Sequence, residues 1–501
     1  MQKKYLKTLE FCLQILLSGT SRARSLVNYL MSLASGGHLC KHPVDLTLQP
    51  HCHYTYSNLT KVVKHFHYTE AILRDFFTAY ADPPKVLHSG KNYYTIGYDF
   101  TKLIKAYSHS LESRVYVLMS NPVVGKVCVT AGYVLGALHY LSGAGGFAPM
   151  VSLKRIDAQE DKDSVALSQI ASFMEANEKE LEKTLLFLLA MDAAFGKAKI
   201  LSSLHKHKQL VGLVRLRQGI KVWTLYKGSH AGKGAKRIYG DQYYLFVTTK
   251  TKPTLRKGVT TTITQQSITD LTADDEQTQK YQLQNGKWVI VTLRRYNNLL
   301  IRTKGGANMK DKPFDLVMVT LQDADSGEMV FTRPLFIAIT GELKSDVSTW
   351  EAYKEYLQRF DVEKTYRFSN NNLLMNAFQT CEATHLDSWL LMTQMAYWLL
   401  YVARDEIEQV QCPPWQKYLN NNKAANAPQN QQSGKRTLTP AQVQKSIGAI
   451  FYTFDKSLFM PKVQKNGKGR TQVIKLPKCP KYPIVKKHKK SPKQRPEQLN
   501  R

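Results

Sequence analysis

The chain has 501 residues, is 43% apolar, and carries 70 Lys and Arg against 39 Asp and Glu, a formal net charge of +31. That length predicts two or three domains of roughly 100–200 residues, with room for a packed core. The charge suits a polyanion such as nucleic acid, a bias that ribosomal and membrane-surface proteins share. Seven scattered cysteines, Cys12, Cys40, Cys52, Cys128, Cys381, Cys412 and Cys479, argue against a disulfide framework and for a reducing cytoplasm, and the lack of an unbroken apolar run of about 18 residues argues against a membrane span.

Residues 1–88 read as mostly helical, with Leu, Val and Phe at three-to-four spacing and a break at Gly36 and Gly37. Lys7, Glu10 and Gln14 interrupt the opening apolar run, so it reads as an amphipathic helix rather than a signal peptide. "HLCKH" and "HCHY" gather His38, Cys40, His42, His51, Cys52 and His53. Their spacing matches no closed zinc-finger pattern, and surface histidines are the expected reading.

From 89 to 208 the texture is α/β. "NYYTIGYDF" is an aromatic strand reaching Asp99, and "VGKVCVTAGYVLGALHYL" is buried strand material. "ALSQIASFMEANEKELEKT" is a helix, "LLFLLAMD" a strand reaching Asp192, and "AAFGKAKILSSLHKHK" a helix. Two acids thus stand at the carboxyl ends of apolar strands, where open α/β sheets place ligands. Residues 209–340 are β-rich, with "LVGLVRLR", "IKVWTLY", "QYYLFVTT", "KWVIVTLRRY", "FDLVMVTL" and "PLFIAIT" divided by turn residues. "GSHAGKG" and "SGAGGF" read as turns rather than phosphate loops. Helix resumes over 341–419, residues 420–436 form a polar linker, and 437–501 hold a short helix and a basic tail. From Lys462 to Arg495 the tail has thirteen Lys or Arg and no acid.

Within "YLQRFDVEKTYRF", helical offsets put Tyr356, Arg359, Glu363 and Arg367 on one stripe about 80° wide. Asp99, Asp192 and Glu363, if brought together, would repel one another and call for divalent cations; hard oxygen ligands suit Mg²⁺ or Mn²⁺. Surface and capping carboxylates are the commoner explanation for any such trio, and an i,i+4 pair of Glu363 with Arg367 on an exposed helix is the plain alternative.

The frame Tyr356, Arg359, Glu363 resembles the Tyr-Arg-Glu part of the signature in DDE transposases of bacterial insertion sequences. "YDFTKLIKAYSHSLESRVYVLMSNPVVGKVCVTAGYVLGAL" resembles that family's first-Asp block, with Ala106, Glu112, Arg114, Asn121, Pro122, Gly132 and Tyr133 in step. "AMDAAFGKAKILSSLHKHKQLVGLVRLR" resembles its second-Asp block, "RFDVEKTYRFSNNNLLMNAFQT" its Glu block, and "LTPAQVQKSIGAIF" with the basic tail its C-terminus. Together they cover about residues 60–495.

The resemblance implies an RNase H-like core of the α/β class, interrupted by a β-rich insertion, with a helical N-terminal DNA-binding region and a basic tail. It implies Asp99, Asp192 and Glu363 as catalytic ligands of two Mg²⁺ (or Mn²⁺) ions, and Tyr356 and Arg359 at DNA phosphates. Double-stranded DNA, both element ends and target, is the implied partner, with a homodimer in the synaptic complex, beside the cytoplasmic nucleoid. Where the signature ends in Lys, this chain has Asn370, which hydrogen-bonds but brings no point charge. Arg367 on the same stripe is the candidate replacement. That departure motivates the alternative of a catalytically inactive or repurposed transposase that binds DNA.

The insertion resembles that of family members that resolve their ends through DNA hairpins, where an aromatic side chain stacks on a flipped base. Trp223 and Trp288 are candidates for that role, set against the commoner buried strand Trp. Arg215 and Arg217 suit either phosphates or a solvated strand edge. Lys468, Arg470 and their tail neighbours suit steeply salt-dependent DNA contact or a solubilising tail.

Overall fold

The computed structural model describes residues 22–49, 52–66, 71–119, 128–178, 185–229, 237–247, 251–256, 259–283, 286–302, 311–405, 438–454 and 480–485, with a few isolated positions between them. The opening amphipathic segment, the linker and most of the basic tail, including Lys468 and Arg470, lie outside the described residues.

The fold is mixed α/β and is organised on one large mixed sheet. The first strands are β1 (Lys85–Val86), β2 (Asn92–Ile104), β3 (Val115–Leu118), β4 (Val129–Tyr140), β5 (Met150–Ile156), β6 (Leu186–Met191) and β7 (Leu210–Arg215). β4 pairs antiparallel with both β2 and β5. β6 runs parallel to β2, and β7 parallel to β6. Every residue of β6, "LFLLAM", is buried. That continuous apolar run fits a parallel strand covered on both faces.

The β-rich span contributes two small hairpins, β8 (Lys221–Leu225) with β9 (Tyr239–Tyr244) and β10 (Thr251–Arg256) with β11 (Val259–Thr264). It then returns through β12 (Asp275–Gln282), β13 (Trp288–Leu299), β14 (Phe314–Asp323) and β15 (Leu335–Thr340), antiparallel neighbours that join the main sheet at β7. The described sheet therefore runs through eleven strands without a break between the first strands and the β-rich span. Its outermost strand, β12, is "DEQTQKYQ", a polar edge that discourages pairing with another chain.

Helices cover this sheet. α1 (Ala23–Gly36), α2 (Tyr56–His65) and α3 (Ala71–Tyr80) come from the leading region, α4 (Lys162–Glu178) and α5 (Ala198–Leu204) from the crossovers around β6. Downstream are α6 (Thr349–Leu357), α7 (Phe360–Asn372), α8 (Ala383–Ala403) and α9 (Pro440–Phe454). α8 is buried around most of its circumference and packs against α1, α2, α3, α9 and β5. A helix apolar on all sides needs such a jacket. Its tryptophans are satisfied at depth: Trp389 Nε1 donates to the Leu374 carbonyl at 3.0 Å and Trp398 Nε1 to the Met150 carbonyl at 2.8 Å.

The stripe drawn through Tyr356, Arg359, Glu363 and Arg367 assumes one regular helix. The backbone differs, because α6 ends at Leu357 and α7 starts at Phe360. Between them the amides of Gln358, Arg359, Asp361 and Val362 donate three residues back, not four. That tighter winding shifts the phase of the side chains. Tyr356 and Arg359 turn inward and are buried, whereas Glu363 and Arg367 are exposed.

A buried ion cluster joins β13 and β14 to the segment that leads into α6. Arg295 on β13 donates to Asp315 on β14 at 2.7 Å and to the Val347 carbonyl at 2.8 Å, and Lys344 also meets Asp315. Arg295 and Asp315 are 10% and 5% exposed, so removing one partner leaves the other charge stranded. Asp315→Ala is expected to destabilise the chain by about 3–5 kcal/mol. Urea unfolding of both proteins measures this, and a midpoint unchanged from native would mean that the cluster is not holding these elements together.

Candidate functional site

β2 and β6 bring the two aspartates together. Their parallel register pairs Tyr98 with Met191, so the following residues, Asp99 and Asp192, are neighbours at the carboxyl end of β6. β2 continues beyond the expected end at Asp99 to Ile104. The third acid, Glu363, lies in the first turn of α7, which packs on β2. Gly97 permits that approach: a Cβ there would stand 3.1 Å from Leu141 Cδ1 and 3.3 Å from Val362 Cγ2. The Tyr366 hydroxyl, one turn after Glu363, donates to the Asp99 carbonyl at 3.3 Å.

Arg359 stands at the centre. Its Nη1 is 3.6 Å from Asp99 Oδ2, and its Nη2 donates to Glu363 Oε1 at 3.2 Å. Arg215, at the end of β7, lies 3.9 Å from Asp192 Oδ1. Exposure rises outward across the group, from 4% for the Arg359 side chain to 21% for Asp99, 35% for Asp192 and 55% for Glu363. The cluster has a buried cation at its floor and carboxylates at its mouth.

The charges act on one another. Burial pushes the Asp99 carboxyl up to about 6, and Asp192 and Glu363 add to the rise, while the Phe100 amide and Arg359 oppose it. Burial alone would weaken the hold of Arg359 on its proton, but Tyr356, Asp192 and Asp99 outweigh it and raise its pKa further. Burial likewise raises the Tyr356 phenol. The Tyr356 hydroxyl is buried beside the Arg359 guanidinium, and no well-formed hydrogen bond reaches it or Arg359 Nε.

Three carboxylates of this kind form a hard-oxygen donor set, the chemistry that Mg²⁺ or Mn²⁺ prefers. With Arg359 between them, no three His, Cys, Asp or Glu side chains among the described residues are drawn close enough to enclose an ion. The same holds for the described members of the early His and Cys group. Cys40 there bonds the Gly36 carbonyl and Gln49, and Cys40 and Cys52 are buried free thiols.

The remaining expected residues divide by location. Tyr356 and Arg359, expected at phosphates, are buried, and Arg359 turns its guanidinium to Asp99 and Glu363. Arg215, Arg217 and Arg367 are exposed, and Asn370 is half-buried further along α7. Neither tryptophan is a fully buried strand residue. Trp223 is half-buried, bonded through its backbone to Leu300 and packed on Tyr239; Trp288 is 39% exposed on β13 with the Lys280 ammonium 5.5 Å from its ring centre. Sequence reading missed Tyr366, although a residue three after Glu363 is expected near the same helical face.

No protein-family model and no curated protein matches the chain. Among the described residues no helix is long and apolar enough to cross a membrane.

The folded Asp99 titrates near 6, above an unfolded value of about 3.9. The folded chain therefore holds an extra proton between roughly pH 4 and 6, and stability falls as pH rises through that window. Asp99→Asn removes this penalty. It is expected to stabilise the chain at pH 7.5 by on the order of 1–2 kcal/mol, allowing for partial solvation, with the difference closing near pH 4. Paired thermal melts at the two pH values measure it; a variant less stable than native at pH 7.5 would show that Arg359 fully compensates the charge.

Proposed function

We propose that the chain is a metal-dependent DDE transposase, which cleaves DNA at the terminal inverted repeats of an insertion sequence and joins the freed 3′-hydroxyl ends to target DNA. The observation that carries this reading is the gathering of Asp99, Asp192 and Glu363, from three separate segments, around one buried arginine. The sheet order β5-β4-β2-β6-β7, three antiparallel strands followed by two parallel ones, supports an RNase H-like core for it.

Asp99, Asp192 and Glu363 would hold two Mg²⁺ or Mn²⁺ ions, which in such sites polarise the phosphate and favour deprotonation of the attacking oxygen. The protein's own groups do the rest. Asp99 must be ionised to serve as a ligand, and a bound cation would lower its raised pKa. Arg359 keeps the acids together between turnovers. Exposed Arg215, 3.9 Å from Asp192, and exposed Arg367, one turn after Glu363, would hold phosphates beside the cut, which fixes the register of the duplex. Water and then the 3′-hydroxyl are the nucleophiles, so no covalent enzyme intermediate is required. The charge of +31 and the basic tail supply affinity for duplex DNA, with two copies of the chain bridging the element ends.

Asn370 favours a second reading, a repurposed transposase that binds ends without cutting them. Incubation with DNA carrying the ends that flank the gene separates the two. Nicking at a defined end that requires Mg²⁺ or Mn²⁺ is expected from the native chain. Asp99→Asn and Glu363→Gln should abolish it while duplex binding stays within about threefold of native, since neither is assigned a phosphate contact. Tight binding of the ends with no cleavage by native protein would establish the second reading, and Asn370→Lys would then be the substitution to restore cutting.

A further inference from the structure

Glu355 immediately precedes Tyr356 in the last turn of α6 and is only 7% exposed. A buried carboxylate is costly unless its lone pairs are filled, and an apolar residue would serve packing alone better. Here the lone pairs are filled from three directions. Tyr93 Oη donates to Oε1 at 3.0 Å and Thr95 Oγ1 donates to Oε2. Lys85 Nζ on β1 lies 3.1 Å from Oε2, and Gln358 Nε2, at the break between α6 and α7, donates to Oε2 at 2.6 Å. Gln358 Oε1 in turn accepts from Lys85 at 3.3 Å. The charge of Glu355, with burial the larger cause, raises the Tyr93 phenol well above its ordinary value.

The partners on β2 follow a pattern. Residues 93, 95, 97 and 99 share one face of the strand. Along that face Tyr93 and Thr95 bind Glu355, Gly97 receives Val362, and Asp99 meets Arg359. The broken helix is laid on β2 rung by rung, and Glu355 supplies the first rung and ties the break itself. A slide of one residue along the helix axis, about 1.5 Å, would carry Arg359 and Glu363 away from Asp99.

We propose that Glu355 is a positioning residue that fixes the register of α6 and α7 on β2, and thereby the spacing of Asp99 and Glu363. Its consequence for catalysis rests on the transposase reading; its effect on the site's rigidity does not.

The test uses the full chain with Glu355→Ala and Glu355→Gln, read by amide hydrogen exchange and by Mn²⁺-dependent end cleavage. In Glu355→Ala, exchange at residues 98–101 and 359–366 should quicken by about tenfold or more while β13 and β14 keep native protection. The cleavage rate constant should fall by about a hundredfold with duplex affinity within about threefold, the signature of a misplaced site rather than a lost one. Glu355→Gln keeps one acceptor oxygen, which at the Oε2 position still serves Thr95, Lys85 and Gln358, while its amide NH₂ can donate to the Tyr93 hydroxyl; it should recover most of both. Quickened exchange confined to 349–358, or spread evenly over the chain, would overturn the proposal in favour of an ordinary stabilising role. Should Glu355→Ala fail to fold, Thr95→Val removes one rung and answers the same question. A native chain that cleaves no end would defeat the transposase reading, while the exchange pattern would still decide the role of Glu355.

Discussion

Carboxylates drawn to one end of a sheet repel one another, and in this chain the buried guanidinium of Arg359 is what allows them to remain there. That repulsion is felt at Asp99, whose pKa Asp192 and Glu363 raise and Arg359 lowers. Arg359 reaches the acids only because the helix breaks at Gln358. The shortened winding there turns Tyr356 and Arg359 inward and leaves Glu363 at the mouth. The break, the inward arginine and the outward acid are therefore one arrangement, and each part requires the others.

The sheet transmits this arrangement further than the separation into core and insertion suggests. β15 pairs with β7, so the insertion's strands share a hydrogen-bond ladder with the strand that ends at Arg215. On the other side Arg295, Asp315 and Lys344 fasten β13 and β14 to the segment that leads into α6. The insertion is thus coupled both to the floor of the site and to the helix pair that closes it.

How much of this could be read from the sequence depends on how local each signal is. β6 was legible because its apolar run ends abruptly at Asp192, and α8 because a long apolar run rich in Leu, Met and Ala carries almost no charge. The candidate acids were named from their block pattern; in the fold Asp99 and Glu363 both meet Arg359, and Asp192 ends the strand parallel to β2. What one regular helix could not reveal is the break. Gln358 and Arg359 are ordinary helix residues, and what distinguishes them is tertiary: Glu355 and Lys85 hold Gln358, while Asp99 holds Arg359. Glu355 was invisible for the same reason, since its partners Tyr93 and Thr95 lie some 260 positions away in the chain. The continuity of the sheet through β15 was likewise hidden, because pairing between distant strands leaves no periodic trace in either of them.

A cluster of acids around an arginine has a purely structural explanation, against which the burial and pairing of its members can be set. A structural ion pair is most stable when all of its buried polar atoms are well paired, yet Tyr356 Oη and Arg359 Nε are buried with only each other's side chains beside them and no well-formed hydrogen bond. Each such atom costs about 1–3 kcal/mol. Orphaned buried atoms occur elsewhere in the chain, at His139 Nε2 and Gln394 Oε1, so their presence alone decides nothing. The weight lies in their location. Here they adjoin a carboxyl whose pKa is raised by its surroundings, at the end of two parallel strands, beside an acid that remains open to solvent. Arg359 and Asp99 lie sunk where the pairing of β2 with β6 ends, while Glu363 stays open to solvent at the rim.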